Sequence, residues 1–155
     1  MSPEPDLSPD LPVTLGTLMD EFFRAVSFDE GQRPQYEVLH DLFIADGKLI
    51  RNSGKSPEIS TVDQFIGARR AMVEAGELTS FYEAELTNVT EIFGNVAHRF
   101  STYEKRGMLN GVPLLGRGMI STQFLRTPAS WKISSMAWDD ERPGLVIPNR
   151  YLTDA

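Results

Sequence analysis

Histidine is the side chain best suited to exchange protons near neutral pH, and this chain contains only two. One of them, His98, alternates with Val96 and Phe100 along a segment that predicts a β-strand. Arg99, on the other face of that strand, is easier to place in contact with solvent. We therefore expect His98, Phe100 and Thr102 to face the interior together. This makes His98 the candidate catalytic acid or base; the alternative is a histidine hydrogen-bonded structurally within the sheet.

Two arginines are candidates for binding an anionic oxygen of a ligand. Arg51 and Arg117 carry guanidinium groups, whose paired donors match a carboxylate or an enolate. The alternative for both is a salt bridge with an acidic residue. The predicted ligand-binding residues are Arg51, Phe100, Thr102, Arg117 and Trp138.

The alternation of side chains between the two faces of a strand also predicts the orientation of three aromatic residues. Tyr103 is an odd number of positions from His98, so it is predicted to face away from the cavity unless a bulge intervenes. Trp131 and Trp138 are likewise an odd number of positions apart, so a regular strand would point them to opposite faces. We expect one tryptophan in the core or pocket wall and the other at a subunit interface.

Other kinds of catalytic chemistry have no support in the residues present. The chain has no cysteine, which excludes disulfides, thiolate metal sites and cysteine nucleophiles. His40-Asp41 matches the dipeptide of metal-dependent phosphohydrolases, but only His98 remains to complete such a site. HExxH, GxSxG, Walker-type and GxGxxG motifs do not occur. We therefore predict neither a metal nor a cofactor.

The composition is that of an acidic globular protein. The 155 residues include 15 Lys and Arg against 22 Asp and Glu, which gives a net charge of −7 that would repel a phosphate backbone. No segment approaches the roughly 20 apolar residues of a membrane span. Residues 1–12, rich in proline and acid, have no signal-peptide pattern and predict a flexible lead-in. We expect a cytoplasmic protein that binds neither nucleic acid nor membrane.

Hydrophobic periodicity predicts three helices followed by a sheet. Apolar residues at helical spacing predict a first helix over residues 13–26 and a second, shorter one over 36–43. Residues 48–51 predict a short strand, and a capping box at 60–64 begins a third helix that Gly76 ends. The periodicity then drops to two, which predicts four long strands: residues 81–93, 96–106, 112–126 and 131–138.

This order of elements is typical of an α+β fold. Strands longer than the usual five or six residues must curve, and helices on the concave side leave a pocket between themselves and the sheet. We predict a cone formed by a single domain over residues 13–155. Three N-terminal helices pack on a strongly curved, mostly antiparallel sheet around a cavity.

Several segments resemble a known superfamily. Residues 94–104 (GNVAHRFSTYE) are similar to a GNxAHVFSTYE strand, residues 117–124 (RGMISTQF) to an RGINSIQL strand, and residues 147–152 (IPNRYL) to a C-terminal IPxxYL. These strands, with the closing strand at 131–141, resemble a bacterial group within the nuclear-transport-factor-2-like, or SnoaL-like, superfamily. The resemblance extends over about residues 14–152 and implies a cystatin-like, nuclear-transport-factor-2-like cone. Because the group has no established activity, it implies no particular reaction.

The chain departs from these relatives at positions that could carry function. Arg99 stands where the group has valine, and Ile120 where it has asparagine. The ketosteroid isomerases of the superfamily carry an aspartate base near the end of the first strand, where this chain has Arg51 and Asn52. A guanidinium cannot accept a proton near neutral pH. Steroid isomerisation by that mechanism is therefore not expected.

Three functions of different class are compatible with these patterns. We expect foremost a protein that binds a small hydrophobic or aromatic molecule in a largely apolar cavity. The first alternative is a cofactor-independent cyclase, isomerase or dehydratase, with His98 as acid or base and Arg51 or Arg117 stabilising negative charge. The second is a non-catalytic, dimeric interaction module. An apolar outer face of the sheet predicts a homodimer.

Overall fold

The first helix packs its apolar side onto the sheet. In a computed structural model that describes residues 11–153, α1 spans Leu11–Val26 and so begins slightly before the predicted start. Leu15, Met19 and Val26 are almost fully buried and lie at the spacing of one helix face. Apart from Leu11 and Pro12, the predicted lead-in lies outside the described residues.

The second helix is shorter than predicted and leads directly into a strand. A 3-10 turn over Tyr36–Val38 continues as α2, Leu39–Leu42, and β1 follows over Phe43–Arg51. The pairing of β1 shifts register between Phe43 and Lys48. This irregularity explains why only the end of the strand was recognisable as one in the sequence.

The third helix begins at the predicted capping box. Helix α3 spans Val62–Glu74. The Gln64 amide donates to Thr61 Oγ1 at 3.1 Å, and the Thr61 amide donates to Gln64 Oε1 at 2.9 Å. These two bonds satisfy amides that the first turn leaves without intrahelical partners. No helix in residues 11–153 is long and apolar enough to cross a membrane.

Within residues 11–153, six strands form one sheet in the order β2-β1-β6-β5-β4-β3. The pairing of β1 with β6 is parallel and the other pairings are antiparallel. The α+β fold with helices packed on a mostly antiparallel sheet is therefore confirmed. The remaining strands are β2 Glu58–Thr61, β3 Leu78–Phe93, β4 Val96–Leu109, β5 Val112–Arg126 and β6 Trp131–Asp140.

Strand β2 was not predicted. It pairs with the end of β1 at the edge of the sheet, from Lys48 opposite Thr61 to Arg51 opposite Glu58. Ile59 is 61% exposed, so the strand has no buried face. A four-residue strand without a buried face carries no alternation for sequence analysis to detect.

A bulge in β3 changes which residues face the helices. We call the helix-packed face of the sheet the inner face and the opposite one the outer face. The register of β3 against β4 shifts between Glu85 and Thr87. Before the shift Glu83 lies opposite Lys105, on the inner face; after it Val89 lies opposite Phe100, on the outer face. One strand thus contributes odd-numbered residues to both faces.

A second bulge corrects the prediction for the tryptophans. The register of β5 against β6 shifts so that Gln123 faces Ser135 whereas Phe124 faces Ile133. Because Ser134 is the extra residue, Trp131 and Trp138 both point to the inner face. Trp131 is 5% exposed in the core, and Trp138 packs against that core. The expectation that one tryptophan covers a subunit interface is wrong.

Candidate functional site

A cavity of about 170 Å³ lies between the helices and the inner face of the sheet. Its walls are mainly apolar, and Phe65 of α3 meets Trp138 of β6 edge-to-face with ring centroids 6.4 Å apart. A cavity of about 150 Å³ holds benzene, so this one accommodates a single ring with a small substituent. The polar side chains in its lining are Arg51, Arg69, Glu83, Tyr103 and Lys105.

Glu83 is the carboxylic acid in the lining of the cavity. Its strand is fixed against the end of α1, because the Glu83 amide donates to Ser27 Oγ at 3.1 Å. Within residues 11–153 the Glu83 carboxyl has neither a hydrogen bond nor a salt bridge. Burial raises the pKa of Glu83 to about 7, although the positive charges of Arg69 and Lys105 oppose the rise. Glu83 can therefore both accept and donate a proton near neutral pH.

Tyr103 and Lys105 both donate hydrogen bonds to the carboxylate of Asp140, the last residue of β6. The Tyr103 hydroxyl donates to Asp140 Oδ1 at 2.5 Å, and Lys105 Nζ donates to the same oxygen at 2.8 Å. Burial, with the hydrogen bond to Asp140, raises the pKa of Tyr103 far above its usual range. Burial would also raise the pKa of Asp140, but the bonds from Lys105 and Tyr103 outweigh it and lower that pKa. Near neutral pH, Tyr103 is protonated and Asp140 is ionised.

Gly118 of β5 leaves space for the Tyr103 ring, and this gives a testable prediction. A Cβ at Gly118 would lie 2.3 Å from the Asp139 carbonyl oxygen and 2.4 Å from the Tyr103 hydroxyl. We expect Gly118→Ala to lower the free energy of unfolding by about 1–3 kcal/mol, measured by urea denaturation. The control Gly67→Ala, on α3 with no atom within 4 Å, should raise it by up to about 1 kcal/mol. Equal effects of the two changes would contradict the packing described.

Two arginines bring positive charge to the cavity from different elements. The Arg69 guanidinium of α3 lies 5.0 Å from the ring centroids of both Phe65 and Phe81. Arg51, at the end of β1, has a side chain that is 56% exposed, with Nη1 4.0 Å from Glu58 Oε2. Arg51 thus lies at the mouth of the cavity, whereas Arg69 is held between rings in its wall.

Two of the predicted site residues line the cavity and four do not. Arg51 and Trp138 are among its lining residues, where their role in binding remains a prediction. His98, Phe100, Thr102 and Arg117 lie outside it. The predicted constellation is therefore split between the two faces of the sheet.

The prediction that His98, Phe100 and Thr102 face the cavity is wrong, because all three lie on the outer face. His98 Nε2 is 2.9 Å from Glu91 Oε1, and the imidazole is 57% exposed. The Phe100 ring meets Tyr151 edge-to-face at 5.3 Å, and Thr102 donates to the Tyr151 carbonyl at 2.6 Å. Phe100 and Thr102 thus hold the C-terminal segment rather than a ligand.

The parity prediction failed because Arg99 is buried. Its side chain is 9% exposed, and its Nη2 and Nε donate to Glu85 Oε1 at 2.5 Å and Oε2 at 3.0 Å. Ser101 Oγ adds a donor to Glu85 Oε2 at 2.7 Å. The guanidinium nitrogens also lie 3.7 Å from where a Cβ on Gly16 of α1 would be. With its charge paired, an arginine can occupy an inner-face position.

Arg117 forms the salt bridge that was the alternative to ligand binding. Its Nε donates to Glu141 Oε1 at 2.8 Å, and the Ile147 amide donates to Glu141 Oε2 at 2.9 Å. The hydrogen bonds from Arg117 and Ile147 hold the pKa of Glu141 below its usual value. Arg117 therefore connects β5 to the segment that follows β6.

His40 does not form a metal site with its neighbour Asp41. Its Nε2 lies 3.3 Å from Asp63 Oδ1 of α3. Among residues 11–153, no three His, Asp or Glu side chains are grouped so that they could hold a metal ion.

Sequence analysis did not identify Glu83, Tyr103, Lys105 or Arg69 as site residues. A signal for two of them was present in β5. Gly118 pairs with Tyr103 and Gly116 pairs with Lys105, so glycines at alternate positions leave room for the two large side chains opposite them. For Glu83 the bulge obscured the parity, and for Arg69 no signal beyond an amphipathic helix was available.

Comparisons with known proteins establish the fold. No protein-family model matches the chain, and no curated protein matches its sequence. Many solved structures superpose on it. One is a nuclear-transport-factor-2-like superfamily protein from Salmonella enterica serovar Typhimurium, with TM-score 0.69 and 11% identity, over 84% of this chain and 90% of that one.

Two further structures are similar to the same extent. A hexachlorocyclohexane dehydrochlorinase from Novosphingobium barchaimii superposes with TM-score 0.70 and 12% identity, over 84% of this chain and 86% of that one. A proposed dehydratase from Streptomyces avermitilis superposes with TM-score 0.68 and 18% identity, over 87% and 99% of the two chains. At such identities the likeness concerns the fold alone.

Proposed function

This chain has the nuclear-transport-factor-2-like fold, as its sequence predicted, and we propose that it binds one ring-sized molecule in the cavity and moves a proton on it. The activity would be that of a cofactor-independent isomerase or dehydratase. The observation that carries the proposal is the unpartnered Glu83 carboxyl in the cavity lining, with a pKa near 7. Two structural neighbours are described by elimination reactions, as a dehydrochlorinase and a dehydratase.

The chemistry needs a base and a positive charge, and the cavity has both. As a carboxylate, Glu83 removes a proton from the carbon next to a carbonyl group, and the electron pair of the broken C–H bond is delocalised onto the carbonyl oxygen to give an enolate. Arg69, whose charge already acts on Glu83, offsets the negative charge that develops. In an isomerisation, the proton held by Glu83 returns to another carbon as the carbonyl group re-forms. In a dehydration, the electron pair of the enolate expels a hydroxide from the neighbouring carbon, and this hydroxide takes the proton from Glu83 and leaves as water.

The test is whether the protein catalyses the isomerisation of a substrate that consists of one ring. In cyclohex-3-enone, proton removal between the carbonyl and the double bond followed by proton return at the far carbon gives cyclohex-2-enone, whose conjugation is followed by ultraviolet absorbance. We expect a rate above that of free acetate at the same carboxylate concentration, increasing with pH through about 7 as Glu83 ionises. A rate no greater than that of acetate would contradict the proposal.

A passive binding protein is the second candidate, because the apolar lining with Phe65 and Trp138 is sufficient to hold a ring without any reaction. The two candidates differ in what Glu83 does. A binding protein would take up cyclohexenones and leave them unchanged. An enzyme would lose turnover but keep binding when Glu83 is replaced.

We also propose a homodimer through the outer face, and expect a single charge there to weaken it. Val89 pairs with Phe100 and Phe93 with Val96, and these side chains are between 36% and 87% exposed. The Glu91–His98 pair lies between these two apolar pairs on the same face. A second copy would remove the four apolar side chains from water. Phe93→Asp should weaken dimerisation by about 10-fold or more in sedimentation experiments.

The matched control for this prediction is Val13→Asp. Val13 is 67% exposed on α1, away from the outer face, so its replacement should leave the dimer intact. A wild-type chain that sediments as a monomer at all concentrations would refute the proposed dimer.

A further inference from the structure

The charges around the cavity are opposite in sign to those of the whole chain. The chain carries a net charge of −7, yet the cavity lining contains Arg51, Arg69 and Lys105 against a single carboxyl, Glu83. Asp140 neutralises Lys105 through the bond at 2.8 Å. Glu58 lies 4.0 Å from Arg51 at the mouth. When Glu83 is protonated, Arg69 is therefore the cation of the lining that no described carboxylate balances.

Arg69 is the cation best prepared for a ligand. Its guanidinium is held at 5.0 Å from the centroids of Phe65 and Phe81, an arrangement that fixes the group without using its hydrogen-bond donors on a carboxylate. Within residues 11–153 Arg69 makes no salt bridge, whereas the neighbouring Arg70 is paired with Glu37. An arginine kept in an apolar wall without a carboxylate partner matches a ligand that brings its own.

Resting on the proposed function, we infer that the ligand is a small ring compound bearing one carboxylate, which Arg69 binds while Arg51 adds positive charge at the mouth. The guanidinium fork matches a carboxylate in two parallel hydrogen bonds. The apolar wall, including Phe65 and Trp138, takes the ring. The volume of about 170 Å³ limits the ligand to about one ring.

The inference predicts a distinctive dependence on pH. Glu83 is faced by Arg69 of α3, Lys105 and Tyr103 of β4, Asp140 of β6 and, at the mouth, Arg51 of β1. When ionised, Glu83 repels a bound carboxylate; when protonated it does not. Because a simple carboxylic acid stays ionised above pH of about 5, binding of the anion should tighten as pH falls from 8 to 6. Binding of a neutral analogue should not change.

The experiment compares benzoate with benzamide, which have the same ring and nearly the same shape. In calorimetric titrations at pH 6, benzoate should bind at least about 10-fold more tightly than benzamide. Arg69→Gln should weaken benzoate binding by about 10- to 100-fold and leave benzamide binding unchanged. Arg70→Gln is the matched control, one position along α3, and should bind benzoate as the wild type does.

Circular dichroism shows whether each variant folds. If Arg69→Gln does not fold, Arg69→Lys, which keeps the positive charge, is used in its place. Its partial retention of the benzoate preference would support the inference. Equal binding of benzoate and benzamide, or equal losses at Arg69 and Arg70, would overturn it while cyclohex-3-enone turnover still upholds the proposed function. Absence of both probe binding and turnover would overturn the proposed function and the inference together.

Discussion

Replacing Glu83 by Gln is expected to lower the rate of cyclohex-3-enone isomerisation by about 10²- to 10⁴-fold, the range that a positioned general base contributes. The amide has nearly the shape of the carboxyl but cannot accept the proton. Since the Glu83 carboxyl has no hydrogen-bond partner among the described residues, the change breaks no internal bond. Binding of the product cyclohex-2-enone should therefore survive.

The same substitution has a predicted effect on stability. Burial raises the pKa of Glu83 from 4.5 to about 7, so the folded state disfavours ionisation relative to the unfolded chain. The wild type should lose stability as pH rises from about 4.5 to about 7. Glu83→Gln should remove this part of the pH dependence and be the more stable protein above pH 7.

Glu77→Gln is the matched control for both effects. Glu77 is an exposed acid just before the same strand, and its replacement should change neither the rate nor the pH dependence of stability. Retention of the full rate by Glu83→Gln would contradict the assignment of Glu83 as the base.

Breaking the Arg99–Glu85 pair is expected to cause a large loss of stability. The two side chains are 9% and 12% exposed, with Nη2 2.5 Å from Oε1. Removal of one partner leaves a buried, unpaired charge, which costs about 3–5 kcal/mol. Arg99→Met or Glu85→Leu alone should each lower the free energy of unfolding by that amount in urea denaturation. This is a large fraction of the roughly 5–15 kcal/mol that stabilises a typical domain.

Replacing both Arg99 and Glu85 distinguishes the free-energy cost of leaving one buried charge unpaired from the net contribution of the ion pair to stability. Arg99→Met with Glu85→Leu fills the site with apolar side chains and should recover most of the loss. As a control, Arg142→Met breaks an ion pair with Asp139 that is 49% and 38% exposed, and it should cost no more than about 1 kcal/mol. Similar losses for the Arg99 and Arg142 variants would show that the inner-face pair is not buried as described.

The elements that sequence analysis predicted well are those with one clearly buried face. The apolar spacing of α1 and the Thr61–Gln64 capping box are local signals, and both correspond to the structure. The four long strands were predicted because alternation persists over many residues in each. The edge strand β2, with Ile59 largely exposed, has no such pattern.

The site was harder to predict because strand parity is not a local property. One extra residue in β3, and another in β6 at Ser134, move each later side chain of the same strand to the opposite face of the sheet. Burial of Arg99 depends on Glu85, a partner in another strand that its own sequence context does not reveal. Once Arg99 was assigned to solvent, His98 was placed in the cavity and Tyr103 outside it. The structure reverses both placements.

A carbon-13 NMR titration of the glutamate side-chain carboxyls tests the central claim most directly. We expect the Glu83 carboxyl to titrate near pH 7, its resonance to be absent in Glu83→Gln, and the midpoint to move upward when benzoate is added. If the Glu83 carboxyl titrates near the ordinary value of about 4.3, Glu83 is not a buried acid–base group. The proposed proton transfer would then have no base.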